Sequence, residues 1–282
     1  MSRKFRDFCA VLFSRKIVVV SAIVILFFAF CAIASPLMAT CDPYKQDLGN
    51  RLQGMSAEHW LGTDQLGRDL YSRIVYGSRV AFMVGILAVI VAAVFGCLIG
   101  LVSGYFGGKV DQVLSRLLEA QMSIPPLILA LALVAVFGRS VVMLILVLGI
   151  SAVPGFARMM RGQVLSVREM DYVAASRIRG NSSLKTMLRH ILPNCISPII
   201  VIMTQSIGGT ILAEASLSFL GAGIVPPTAS WGAMVNDGYS WIYDAPLFAL
   251  APGVAIILLV LAFNIFGDGL RDALDPRLRG TL

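Results

Sequence analysis

Histidine and internal charge are both scarce in this chain of 282 residues. The two histidines, His59 and His190, stand far apart with no metal-ligand spacing, and no HExxH or GxSxG occurs. Zinc-protease and serine-hydrolase chemistry by those motifs is therefore excluded. The five cysteines (9, 31, 41, 97 and 195) form no CxxC and no closely spaced even set. Neither a zinc site nor a disulfide framework is signalled, and small apolar packers are the expected role. The run "GYFGGK" (104–109) resembles a phosphate loop, but Ser103 stands where GxxxxGK[ST] needs glycine, and Val110 where it needs Ser or Thr. ATP binding by that motif fails at two positions.

Charge is the other scarcity. Only 14% of residues are charged and 57% are hydrophobic, against about 25% and about 45–50% in soluble domains. The excess is gathered into blocks that approach the roughly 20 apolar residues a membrane helix needs. An all-α integral membrane protein follows, with six transmembrane spans at about 17–38, 80–104, 117–137, 141–157, 196–215 and 247–266. The first span has a rival, since Ala32-Ile33-Ala34 after a basic start resembles a signal-peptide cleavage site. Its run is longer than the usual h-region of about 7–15 residues, which favours a retained span. In the third span, Pro125-Pro126 predicts a kink or break at its entry.

Six spans put both termini on one side. With both inside, the inner segments hold 17 of the 23 Lys and Arg, and residues 216–246 hold none. The positive-inside rule then gives N-in and C-in. The net charge of +7 therefore reports orientation, not a nucleic-acid partner. The outer loops are 39–79 and 216–246, and a cytoplasmic loop, 158–195, joins spans four and five.

Several features remain. Ala88, Ala92, Gly96, Gly100 and Gly104 recur at every fourth residue, a stripe that lets another helix approach closely, within the chain or in a second subunit. Glu214 is one of the rare ionisable groups in a span, and Thr204, Gln205 and Ser206 lie in the same segment. All four are candidates to line a water-filled path, with helix–helix hydrogen bonding as the alternative. Thr63 or Asp64 is expected to cap the helix leading into the second span, and Asp268 to cap a final helix ended by Pro276. Trp231, Tyr239, Trp241 and Tyr243 suit a membrane interface.

The cytoplasmic loop contains "DYVAASRIRGNSSLKTMLRHILPN" (171–194). Tyr172, Ala175 and Ser176 belong to a short helix that Gly180 ends, and Asn181 or Ser182 caps the next. There Leu184, Met187, Leu188, Ile191 and Leu192 fall on a single apolar face, and Pro193 stops or kinks the helix. Such a helix either lies on the inner leaflet or docks a cytoplasmic partner.

This stretch resembles the EAA loop of ABC-importer permeases, EAA-x3-G-x9-I-x-LP. Ala175, Gly180, Leu192 and Pro193 match, while Ala174, Ser176 and His190 depart from the pattern. With "HWLGTDQLGRDLYSR", "GYFGGKVD", "LSFLGAG", "PPTASWG" and "NIFGDGLRDALDPRL" in order, the chain resembles the C-type subunit of the dipeptide/oligopeptide/nickel permease group. The resemblance implies a bacterial inner-membrane transport subunit with no cofactor of its own, paired with a second permease subunit. Two ATPase subunits carrying ATP and Mg²⁺ would sit beneath, and a soluble binding protein would deliver substrate. Tyr172, Ala175, Ser176, Gly180, Leu184, Met187, Leu188, Leu192 and Pro193 would form the ATPase joint. Peptides rank first as substrate, ahead of nickel or other metal chelates and glutathione-like compounds. An ion-coupled secondary transporter is the outside alternative, and it would need buried charges and an inverted repeat.

Overall fold

The computed structural model describes residues 3–274 and is helical throughout, without a named strand among the described residues. Helix α1 (Arg3–Leu12) leads into α2 (Lys16–Ile33) and a single turn, α3 (Ser35–Met38). After an irregular loop come α4 (Leu70–Phe106), α5 (Gly108–Met122), α6 (Pro126–Phe137) and α7 (Val141–Arg168). Two short helices, α8 (Asp171–Ile178) and α9 (Ser183–Thr186), and a π turn (Met187–Ile191) precede α10 (Leu192–Phe219), α11 (Trp231–Tyr239) and α12 (Pro246–Leu274). Five helical stretches are long and apolar enough to cross a membrane: α2, α4, α7, α9 through α10, and α12.

The expected third span is broken. Helices α5 and α6 meet at 86°, and α6 has 12 residues, about 18 Å at 1.5 Å per residue. That is shorter than the roughly 30 Å of hydrocarbon. Proline at 125 and 126 is the cause, because neither ring nitrogen can donate and the residue before a proline leaves the α region. Of the expected kink or break, the structure has the break, a sharp corner, and α5 has no fully buried residue within the chain.

The first expected span, 17–38, is divided at Ala34 into α2 and the turn α3, and the second, fourth, fifth and sixth fall within longer helices. Helix α4 begins at Leu70 rather than at 80, because Asp69, not Thr63 or Asp64, is its N-cap and accepts from Ser72 N. Asp64 instead organises the preceding loop, accepting from the backbone N–H groups of Leu66 and Arg68 and pairing with Arg68 Nε at 2.6 Å. Helix α7 runs on to Arg168. Asp268 lies inside α12 and accepts from Gln205 Nε2 at 2.8 Å, so it is no cap. Pro276 lies outside the described residues.

The small-residue stripe of α4 packs within the chain. A methyl group at Gly96 would stand 2.5 Å from Phe156 Cβ, and one at Gly104 2.8 Å from Val164 Cβ. From the other side, Gly149 of α7 would meet Val91 and the carbonyl of Ala88. Close backbone approach maximises dispersion contact where no hydrophobic drive separates helix from lipid. Ala92, Phe156, Met160 and Val164 extend this seam into a buried cluster.

A second cluster gathers around Trp231, which is buried rather than interfacial. Its Nε1 donates to Ile74 O at 2.9 Å, Phe28 meets its ring edge at 5.4 Å, and Gly77 makes room for it. Helix α2 is thus held by the core through Phe28, and Val18 packs against Gly269 of α12.

Candidate functional site

Between α6, α7 and α10 lies a cavity of about 590 Å³, with a second of about 480 Å³ adjoining it through Pro126, Ser151, Ala152 and Ser206. The first is walled by apolar side chains such as Leu127, Leu148 and Leu217. Its polar features are the hydroxyls of Ser151, Ser206, Thr210 and Ser216 beside Gly209. The second adds Gln121 from the α5 end. No Lys, Arg, Asp or Glu lines either cavity. Such a wall holds a solute by shape, hydroxyls and backbone, not by ion pairing.

The four expected path residues occupy different faces of α10. Ser206 lines both cavities. Gln205 turns to Asp268 and packs on Gly267, and the Thr204 hydroxyl bonds back to Ile200 O at 3.0 Å. Glu214 is 2% exposed and lines neither cavity. Its Oε1 accepts from Ser218 at 2.7 Å and Ser230 at 2.8 Å, tying α10 to the residue before α11. Ser151, Thr210 and Ser216 carry no sequence signal of their own, because a hydroxyl that bonds its own helix reads the same on every face.

The role of Glu214 is testable. Glu214→Gln keeps one acceptor and is expected to cost about 1 kcal/mol. Glu214→Ala strands two hydroxyls and opens a void, at about 2–4 kcal/mol. Thermal unfolding in detergent should rank wild type above Gln above Ala, while solute uptake by the folded fraction stays unchanged. Loss of uptake at unchanged stability would instead put the carboxylate in the path.

At the opposite end of α4 from Trp231, α8 and α9 form an elbow. Gly180 sits at φ +75°, the left-handed conformation that glycine adopts without a Cβ penalty. Buried Ser176 is shared between Asn181 Nδ2 at 3.0 Å and the Thr186 hydroxyl at 3.3 Å, which fixes the angle of the elbow. Ser182 caps α9 through Lys185 N. The elbow is also tied to the bundle, with the Arg177 guanidinium 5.0 Å from the Tyr105 ring, and just before it Arg168 at the end of α7 donates to Gly104 O of α4 at 2.8 Å.

The expected single apolar face after Gly180 is divided. Met187 and Ile191 are 6% and 0% exposed and join the core, whereas Leu184 and Leu188 are 62% and 49% exposed. The π turn rotates the following residues relative to an α-helix. It arises beside Pro193, which cannot donate to Arg189 O, while Leu192 N reaches Met187 O, five residues back. Pro193 therefore starts α10 rather than stopping its predecessor, and it is exposed while Leu192 is half-buried. Tyr172 is exposed and Ala175 half-buried on α8.

A clamp absent from the sequence reading braces the same end. Asp111 of α5 takes both Arg161 Nε and Nη2, at 2.5 and 2.6 Å, and also accepts from Ser103 and Ser115. The signal was the acid closing "GYFGGKVD", which becomes legible only once α5 folds back onto α7.

Comparison with known proteins assigns this architecture. The family described as "binding-protein-dependent transport system inner membrane component" matches residues 96–280. The N-terminal TM domain of oligopeptide transport permease C matches residues 4–54. The dipeptide transport system permease protein DppC of Alkalihalophilus pseudofirmus is 42% identical over 94% of this chain and 87% of its own length. The probable D,D-dipeptide transport system permease protein DdpC of Escherichia coli K12 is 42% identical over 93% and 88%. The glutathione transport system permease protein GsiD of Pectobacterium atrosepticum is 42% identical over 80% and 75%. Among solved structures, the inward-facing MetNI methionine ABC transporter shares the fold with a TM-score of 0.58 at 20% identity, covering 71% of this chain and 96% of that one. The protein is thus a multi-pass transport subunit of the inner membrane, and it belongs to the binding-protein-dependent transport system inner membrane component family, in its C-type dipeptide/oligopeptide permease branch.

Proposed function

We propose that this chain is one of two different permease subunits in an ABC importer of di- and oligopeptides. The observation that carries the reading is the likeness, over more than nine-tenths of the chain, to proteins named as dipeptide and D,D-dipeptide permeases. The uncharged, hydroxyl-lined cavity suits a solute that varies in side chain but always offers peptide N–H and C=O groups. The second permease subunit closes the open side of that cavity.

The termini and the α8–α9 elbow face the cytoplasm, following the distribution of Lys and Arg. Leu184 and Leu188 dock in a groove of an ATPase subunit, and Ser176 and Gly180 hold the elbow at a fixed angle so that ATPase closure moves the bundle as a lever. ATP and Mg²⁺ are bound and turned over in two ATPase subunits, and this chain supplies no cofactor site for them. A binding protein delivers the peptide at the end formed by loop 40–69 and α11.

Reconstitution tests the reading. The chain, co-expressed with its neighbouring transport genes and placed in proteoliposomes with its binding protein, is expected to take up radiolabelled dipeptide only with ATP inside the cytoplasmic compartment. Glutathione or Ni²⁺ uptake under the same conditions, without dipeptide uptake, would replace the substrate assignment. Uptake driven by an ion gradient without ATP would sink the importer reading.

A further inference from the structure

We propose that Cys41, His59 and Asp69 form a binding site for one divalent transition metal ion of the zinc class, separate from the cavity between α6, α7 and α10. Their spacing in sequence matches no zinc motif, but the loop between α3 and α4 folds them together. Cys41 Sγ, one His59 ring nitrogen and an Asp69 carboxylate oxygen all lie within 4.8 Å of one another. The His59 Nδ1 to Asp69 Oδ1 edge is already 3.0 Å. A tetrahedral zinc with bonds of about 2.0–2.3 Å places its ligand atoms about 3.3–3.8 Å apart. The cluster, no more than 4.8 Å across, would contract by about 1 Å to that size on binding.

Thiolate, imidazole and carboxylate are the donor types that zinc accepts, and here each is held by its own backbone anchor. Cys41 N donates to Ser72 Oγ at 3.1 Å, and His59 N donates to Ser56 Oγ at 3.0 Å. Asp69 spends Oδ2 on the N-cap bond to Ser72 N at 2.8 Å, which leaves Oδ1 directed at His59. The Asp69 side chain is fully buried and the His59 side chain is 14% exposed. Among the described residues, the ionic partner of Asp69 is His59 alone, since the nearby guanidinium of Arg68 is committed to Asp64. Cys41 is a free, half-buried thiol.

Charge and protons balance. Two anionic ligands neutralise a divalent ion. Coordination releases the thiol proton to solvent and leaves the imidazole proton on Nε2, so Nδ1 can ligate. The partial exposure of Cys41 and His59 leaves a fourth position for water. The ion would join the segment just after α3, the 59–62 turn and the cap of α4 in one cross-link, stapling the loop that precedes the longest helix.

Full-length chain, purified with its partner subunits and stripped with EDTA, is titrated with Co²⁺. A thiolate-to-cobalt charge-transfer band is expected to saturate at one ion per chain, to be displaced by Zn²⁺ and to vanish in Cys41→Ser. Asp69→Asn, which keeps an N-cap acceptor, should weaken binding at least about tenfold. In parallel, maleimide labelling at Cys41, read by peptide mass mapping, should slow at least about tenfold when Zn²⁺ is added to wild type, and not in His59→Gln. No band, a band that survives Cys41→Ser, or labelling indifferent to Zn²⁺ in wild type would overturn the site.

Discussion

Gly100→Leu is expected to abolish recovery of folded chain, while Gly162→Ala, on the opposite side of the same helix pair, is expected to be tolerated. At Gly100 a single added carbon would press on Ala157 O and stand 2.8 Å from Met160 Cβ and 2.9 Å from Arg161 N. Two of those three neighbours are backbone atoms, which cannot swing aside as a side-chain tip can. The helices would have to separate, and the seam offers no local relief, because Gly96 and Gly104 sit against α7 one turn either way. Overpacking by a methylene or two costs about 1–3 kcal/mol, and leucine adds four carbons to a seam with no space for one. A loss comparable to the about 5–15 kcal/mol that holds a domain together follows. Gly162 has nothing within 4 Å of an added methyl group, and alanine there gains up to about 1 kcal/mol of helix propensity. Fluorescence-detected size exclusion of detergent extracts compares the two. A monodisperse Gly100→Leu peak near the wild-type yield would show that the stripe is not the closely packed seam described here.

The sequence made this stripe visible but not its partner. Small residues at every fourth position announce close approach, yet only Phe156, Met160 and Val164 on α7 identify the second surface. Five of six spans were legible for a related reason, since bilayer thickness imposes a length that composition reveals. The third was not. A hydropathy reading adds α6 to the end of α5 and cannot see that Pro125-Pro126 turns the chain through 86°. Helix ends were also hidden where charged side chains find distant partners. Arg73 and Arg79 look like a span boundary, but Arg73 pairs with Asp64 and Pro43 O, and Arg79 donates to Ala32 O. Clusters assembled from remote segments, such as Asp111 with Arg161 or Cys41 with His59 and Asp69, have no periodicity to betray them. The elbow was the best-read feature, because Gly180 and Ser182 act on their immediate neighbours.

The divided face beyond Gly180 separates two mutational classes that a regular helix would merge. Leu184→Asp with Leu188→Asp is expected to leave the chain folded, since both side chains already face outward and surface changes cost about 0.5 kcal/mol or less. ATPase binding should nevertheless fail. Each aspartate would carry an unpaired charge into an apolar groove, and truncating such an anchor alone typically costs about 2 kcal/mol or more. Two together weaken the complex by about a thousandfold, since every 1.4 kcal/mol is about tenfold, and ATP-driven uptake falls at least tenfold. Met187→Ala and Ile191→Ala invert this pattern. They empty buried volume at about 2–5 kcal/mol each, so thermal stability falls while the chain that remains folded still holds its ATPase. Co-purification and thermal unfolding of the same four preparations decide the matter. An ATPase that stays with the double aspartate variant would move the joint elsewhere, with exposed Tyr172 and Ile178 on α8 the next surface to change. An ATPase lost from Ile191→Ala at wild-type stability would instead mean that the π turn unwinds on docking and presents its buried face.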